Sequence, residues 1–363
     1  MENKKKIMFF IGSLSWGGAE KVITVLADSY VKRGFDVSII TLLSDKKNYE
    51  INPEIKLISL AREEKSNRRN VFYWIRNIKN LLKEQKPETI VSFVCRINLL
   101  VIYAKIHSKV DCRLIISDRN DPRYDTRGFL AKALTKKLYP RADLLICQTS
   151  SQKEFFTKRI REMTMVVPNP VFLTCEPRDY SERKKVIINA ARYDDSKNQE
   201  LLIGAFAKLI QDKKDCGFDL HFYGSGAIKE KLQHDIDKLS LKNRILLFDS
   251  IPNVQEKISE ASIFCLSSNY EGMSNSLMEA LLLNTPSIST NVSGAKDLID
   301  EGKNGFIVPI RDINALYVAL KTMINDDELR KEMSDYCRTK EYRNRYLNSL
   351  DLYQQYIDNN KDL

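Results

Sequence analysis

Apolar and polar positions along the chain fall into a repeating two-part rhythm. Short apolar runs, IMFFIG (7–12), VSIITLL (37–43), TIVSFV (89–94), RLIIS (113–117) and DLLICQ (143–148), have the length and composition of strands buried on both faces. Between them, the stretches near 19–33, 71–86, 97–109, 129–140 and 150–162 are patterned as helices. The rhythm then restarts. KVIINAA (185–191), FDLHFYG (218–224), RILLF (244–248), SIFCLS (262–267), PSIST (286–290) and FIVP (306–309) read as strands. Helical patterns lie near 198–214, 226–240, 254–260, 275–284, 312–325 and 327–338, and EYRNRYLNSLDLYQQYI (341–357) reads as one terminal helix. Strands alternating with helices predict an α/β fold with a mostly parallel sheet, here twice over. The boundary falls in VVPNPVFLTCEPRDYSER (166–183), the densest cluster of proline and polar residues, which predicts domains over 1–170 and 171–340. Two doubly wound domains of this kind place a ligand at the carboxyl ends of their strands.

Three stretches in the second half carry candidate chemistry. Arg192 and Lys197 follow the strand 185–191 and precede a helix start near Asn198. Two cations beside the free N–H groups and positive dipole of a helix N-terminus make an anion site, although a solvated loop with two incidental cations would read the same. HFYGSGAIKEKL (221–232) is strand, turn and helix, so the backbone could approach a ligand at Gly224 and Gly226. NYEGMSNSLMEALLLNTPSIST (269–290) places Glu271 before a helix start and Glu279 about two turns inside it. Ser274 or Asn275 is the predicted N-cap, Gly272 eases the turn, and the amides of Met273, Ser274 and Asn275 would face the ligand. An ionised carboxylate at 279 has two acceptor oxygens, which suits a vicinal diol such as a ribose. The bland reading of both glutamates is helix electrostatics, worth roughly 0.3–1 kcal/mol each.

Composition narrows the classes. The 363 residues are 43% hydrophobic and 29% charged, as in soluble globular proteins, and seven dispersed cysteines without a C-x-x-C pair predict reduced thiols in the cytoplasm. Three histidines, at 107, 221 and 234, have no metal-ligand spacing, and no stretch has the apolar length of a membrane span. Charge is lopsided. Residues 1–170 hold 32 Lys and Arg against 18 Asp and Glu, while 171–363 hold 26 against 30. The basic half points to an anionic partner. One part of it, SNRRNVFYWIRNIKNLLKEQK (66–86), interleaves Arg and Lys with Phe72, Trp74, Ile75 and Ile78, as in helices that lie on anionic membranes. Such a stripe also suits a core. No nucleic-acid recognition module is present.

Taken together, NYEGMSNSLMEALLLNTPSISTNVSGAKDLIDEGKNGFIVP resembles the donor-site signature of family 4 glycosyltransferases, retaining enzymes of the GT-B fold. Gly17-Gly18-Ala19-Glu20, Val167-Pro168-Asn169-Pro170, Arg192 with Lys197, and Gly224-x-Gly226 agree with that family in order and spacing. The resemblance implies two Rossmann-like domains facing across a cleft, acceptor-binding first and donor-binding second, with the terminal helix 341–363 crossing back onto the first. It implies that Arg192 and Lys197 bind the donor diphosphate, that Glu279 holds the ribose, and that Glu271 and residues 273–275 contact the transferred sugar. Gly17 and Gly18 would let their loop approach phosphates and acceptor, and the nucleobase would lie near Ile251. The expected donor is a UDP-sugar carrying a hexose or N-acetylhexosamine. The expected acceptor is a glycan, lipid-linked as is common in the family, in capsule or other polysaccharide synthesis, reached from the cytoplasmic side of a membrane.

The leaving diphosphate needs neutralising. The only Asp-x-Asp, Asp235 to Asp237, falls inside a predicted helix, so the two cations and a helix N-terminus are expected to do this without a metal or other cofactor. In place of the histidine that many members carry in the first domain, the chain reads LIISDRNDPRYDTRG (114–128), resembling a branch found in bacterial surface-polysaccharide transferases. There Asp118, Arg119 and Asn120 would face the sugar or the acceptor phosphate, and either Asp118 or a donor phosphate oxygen would take the acceptor's proton. Two other classes stay open on the sequence: a non-catalytic GT-B subunit that binds glycan, and a sugar-nucleotide epimerase. A nicotinamide dehydrogenase fails for want of G-x-G-x-x-G after the first strand.

Overall fold

The computed structural model describes all residues except 1–3, 16, 49, 63–66, 120–127, 213–215 and 359–363. The chain divides into two compact units, Met1–Pro170 with Asn348–Leu363, and Val171–Leu347.

The first unit is built on a seven-stranded sheet. Its strands are β1 (Lys6–Ile11), β2 (Asp36–Thr41), β3 (Lys56–Ser59), β4 (Thr89–Phe93), β5 (Arg113–Ser117), β6 (Leu144–Cys147) and β7 (Thr164–Val166). All pair in parallel, in the order β3-β2-β1-β4-β5-β6-β7. Successive side chains of β1 enter opposite cores. Met8 and Phe10 join Trp74, Ile78 and Leu82 of the helix Asn67–Gln85, while Ile7, Phe9 and Ile11 join Val22, Ile23 and Leu26 of the helix Gly18–Lys32. That is the alternation a strand must show when both faces are covered, and each fully buried large side chain contributes roughly 1.5–3 kcal/mol.

The second unit has six parallel strands: β8 (Lys184–Ala190), β9 (Asp219–Tyr223), β10 (Ile245–Phe248), β11 (Ala261–Leu266), β12 (Ser287–Thr290) and β13 (Gly305–Val308). Their order is β10-β9-β8-β11-β12-β13. Ile187, Ile263 and Cys265 face one core, and Ile188, Phe264 and Leu266 face the other.

The terminal helix expected over 341–357 is two helices, Lys340–Leu347 and Ser349–Asp358. The first stays with the second unit, where Tyr342 and Tyr346 are buried. The second belongs to the first unit: Tyr353 and Ile357 enter its core, and Asp358 accepts hydrogen bonds from Tyr30 (2.9 Å) and Arg33 (2.6 Å). The tyrosine and leucine pattern runs through both, so periodicity alone could not find the break. No described helix is long and apolar enough to cross a membrane.

Candidate active site

In the second unit the strand order reverses between β8 and β11, which are neighbours. Loops leaving the carboxyl ends of such a pair run to opposite sides, which opens a crevice at that point. The loops leaving β8 and β11 are residues 191–198 and 267–274, so Arg192, Lys197, Glu271 and residues 272–275 gather there although some 74 positions separate Lys197 from Glu271.

The two loops are knitted together by specific bonds. Ser267 Oγ donates to Lys197 O at 2.9 Å, Asn269 N to Ser196 O at 2.7 Å, and Asn269 Nδ2 to Asp195 O at 2.9 Å. Asn198, held at φ 47°, donates from Nδ2 to Asn269 Oδ1, which also accepts from Arg311 Nε at 3.2 Å. Lys197 Nζ lies 2.5 Å from Glu271 Oε1, and Ser268 Oγ donates to the same oxygen at 2.7 Å. Lys197 and Glu271 are 17% and 10% exposed, so this is a largely desolvated pair. Arg192 differs. It is 69% exposed and, among the described residues, its side chain pairs with Asp194 at 3.3 Å, an arrangement worth little in water. The fully buried Gln199 donates from Nε2 to Arg192 O at 2.8 Å and so fixes the backbone that carries the arginine.

The helix carrying the second glutamate runs Asn275–Leu282. Ser274 is its N-cap, its side chain accepting from Leu277 N at 3.3 Å, which settles the choice the sequence left between Ser274 and Asn275. Met273 and Glu279 are buried, and Asn275 is half-buried. Gly272 is not among the residues with positive φ; in this unit the left-handed glycines are Gly217, Gly226, Gly294 and Gly302, so the turn at 272 needs no glycine conformation.

Gly224 and Gly226 lie after β9, beside the first loop. A Cβ on Gly224 would stand 2.0 Å from Ala191 O, and one on Gly226 2.1 Å from Tyr193 O. Both therefore serve the close approach of one loop to another, and Tyr193 N donates to Ser225 O at 2.9 Å across that contact. Ile251 follows β10, half-buried. Asp235 and Asp237 fall inside the helix Lys229–Lys238, away from any strand end.

In the first unit the order reverses between β1 and β4. Gly17 caps the helix Gly18–Lys32 after β1, in extended backbone. Val94 closes β4 at φ 72°, a conformation that costs a β-branched residue of order 1–3 kcal/mol and tends to cluster at functional sites. Asp118 and Arg119 stand at the end of β5, and both are buried. The two residues expected to face the sugar or the acceptor phosphate enter opposite faces, as consecutive residues at a strand end do. Asp118 accepts from Tyr139 OH (2.9 Å) and Asn98 Nδ2 (3.2 Å) in one core. Burial, with the Asp118 charge beside it, pushes the Tyr139 phenol well above its ordinary range, so it stays a donor. Arg119 stacks between Phe93 (4.6 Å) and Tyr353 (5.5 Å) in the other and donates to Asn169 Oδ1 at 2.7 Å. Gln148 Nε2 donates to that oxygen as well, at 2.6 Å. Asn120 lies outside the described residues.

The sequence singles out the two cations and both glutamates but not Ser267, Ser268, Asn269, Gln199 or the pairing of Lys197 with Glu271. The run LSSN after β11 is a signal that could have found three of them, since polar residues at the carboxyl end of a buried strand need partners.

The family model described as "Glycosyltransferase Family 4" matches residues 16–174, and that described as "Glycosyl transferases group 1" matches residues 176–340. An α-1,4-N-acetyl-D-galactosaminyltransferase of Campylobacter jejuni, whose name gives a diNAcBac-PP-undecaprenol-linked acceptor, is 29% identical over 90% of this chain and 91% of its own length. A second transferase of that organism, a 4-α-N-acetylgalactosaminyltransferase named for a diphospho-undecaprenol acceptor, is 28% identical over 93% of this chain and 94% of its own. Among solved structures, Anabaena HepE in complex with UDP and glucose superposes with a TM-score of 0.80 at 16% identity, covering 98% of this chain and all of that one. The outer-core galactosyltransferase WaaB, in its apo form, gives 0.74 at 20%, covering 96% and 99%. These likenesses show the GT-B fold: two parallel-sheet, Rossmann-like domains.

Proposed function

The chain belongs to glycosyltransferase family 4, and from that premise we propose that it moves a hexose or N-acetylhexosamine from a nucleotide-sugar, a UDP-sugar, to a lipid-linked glycan with retention of configuration. The observation that carries this reading is the Lys197–Glu271–Ser268 constellation at the switch point of β8 and β11, with the exposed Arg192 on the same loop as Lys197. The acceptor class is supported by the two relatives whose names end in a diphospho-undecaprenol glycan, and retention by their α-linkages. UDP as the nucleotude carrier is supported by the complex of a structural neighbour with UDP.

The chemistry follows from charge. As the glycosidic bond breaks, the departing diphosphate gains negative charge, and Lys197, Arg192 and the N-terminal amides of Asn275–Leu282 lie where that charge would be met. These groups do the neutralising, so the reaction needs no metal. Glu279 accepts from the ribose diol and Glu271 with residues 273–275 holds the sugar. The acceptor hydroxyl enters from the face the diphosphate leaves, and a donor phosphate oxygen takes its proton. Asp118, engaged by Tyr139 and Asn98, and Arg119, stacked on two rings, position the acceptor side of the first unit rather than carry the proton.

The basic half serves the lipid. Phe72, 75% exposed, Arg76 and Lys83 are exposed on the helix Asn67–Gln85, and Phe129, Lys132, Lys136 and Lys137 on the helix Phe129–Leu138 of the same unit. Exposed aromatics among cations suit an anionic membrane surface, which would hold the enzyme peripherally beside its acceptor.

A panel of nucleotide-sugars with polyprenyl-diphosphate-linked glycans, read by mass spectrometry, tests the reading. The expected result is an acceptor heavier by one sugar residue with one donor. No transfer across the panel, with no binding of any nucleoside diphosphate, would remove the proposal.

A further inference from the structure

The two cations of the donor site are not equivalent. Arg192 is mostly in solvent, whereas Lys197 is already engaged by a carboxylate before any ligand arrives. The pair is anchored on both sides: the Lys197 backbone carbonyl accepts from Ser267, and the Glu271 carboxylate accepts from Ser268. An ammonium has three N–H donors, so Lys197 can bind a phosphoryl oxygen while keeping Glu271. The consequence is a negative charge held next to the place where a diphosphate binds, in a setting with little water to screen it.

That charge acts differently on the two sides of the reaction. In a nucleotide-sugar the terminal phosphoryl group is a diester, and the attached sugar offers hydroxyl donors to a carboxylate. After transfer the same phosphoryl has lost its ester to the sugar, carries more negative charge and no longer presents the sugar's hydroxyls. We propose that Glu271, through its pair with Lys197, is a specificity-determining residue that favours the intact nucleotide-sugar over the nucleoside diphosphate product and so speeds product release. This rests on the reading of the site as a nucleotide-sugar site.

Calorimetric titration of UDP, and of the nucleotide-sugar found active, into wild type and four variants tests it. Glu271→Gln, which keeps the shape and removes the charge, is expected to bind UDP about tenfold tighter while the nucleotide-sugar binds no tighter. Glu271→Asp keeps the charge and should keep UDP binding weak, so a merely structural role, which would make Gln and Asp alike, is separated from the proposal. Lys197→Ala should weaken UDP about a hundredfold, part of it through the carboxylate left uncompensated, and the double variant Lys197→Ala with Glu271→Gln should regain about tenfold. UDP binding no tighter in Glu271→Gln, or a double variant no better than Lys197→Ala, overturns the inference while leaving the donor site intact. Wild type that binds neither UDP nor the nucleotide-sugar overturns the site itself and this inference with it.

Discussion

Missing methyl groups at Gly224 and Gly226 set how closely the loop 191–198 packs against its neighbour. At Gly224 any side chain would meet the Ala191 carbonyl, a backbone atom that cannot rotate away, so Gly224→Ala must push the 191–198 loop off its neighbour. Overpacking of this kind costs about 1–3 kcal/mol. The variant is expected to melt lower and to bind UDP more weakly, because Arg192 and Lys197 ride on that loop; unchanged melting and UDP affinity would show that the loop does not depend on this contact. At this scale the sequence was partly legible. Arg192, Lys197, Glu271 and Glu279 stand out as charges at strand ends and a helix start. That the Lys197 ammonium donates to the Glu271 carboxylate was not legible, because it depends on β8 lying next to β11, a fact of strand order. Nor was the burial of Asp118 and Arg119, which follows from Tyr139 meeting the first in one core and Phe93 and Tyr353 meeting the second in the other, contacts only the fold creates.

Among the elements, the helix Asn67–Gln85 shows where pattern misleads. The sequence leaves its aromatic stripe open between core and membrane, and the structure divides it. Trp74, Ile78 and Leu82 are core, with Trp74 Nε1 donating to Leu60 O at 2.9 Å, while Phe72 stands in solvent with Arg76. Trp74→Ser is therefore expected to destabilise the first unit by about 3–5 kcal/mol, as large core aromatics do. Phe72→Ser with Arg76→Gln and Lys79→Gln should leave the melting temperature near wild type and reduce flotation with anionic vesicles at low salt. Wild type that fails to float under those conditions would remove the membrane face. The strands the sequence missed have a plain cause. In β3 only Ile58 is more than marginally covered, and β7 is three residues long, so neither presents an apolar run. Long buried strands such as β5 and β8 were placed to within a residue because both faces are covered and the run is continuous.

For the whole chain, two parallel sheets each carry one order reversal, so the candidate residues sit on loops from strands that are neighbours in the sheet but not in sequence. The restart of the strand–helix rhythm made the two sheets legible from sequence; the break of the last helix, between Leu347 and Ser349, was not, since burial against different units decides it. On the proposed function, the second unit stabilises a departing nucleoside diphosphate with Arg192 and Lys197 and without a metal. The most direct measurement is the rate of UDP release during transfer, in excess chelator, for wild type, Arg192→Ala and Lys197→Ala. Wild-type release is expected to be unchanged by chelator and to fall about a hundredfold to a thousandfold in each variant, the cost of losing one preorganised electrostatic donor, about 2.7–4 kcal/mol. Near wild-type release in both variants, or loss in chelator restored by Mn²⁺, would contradict it.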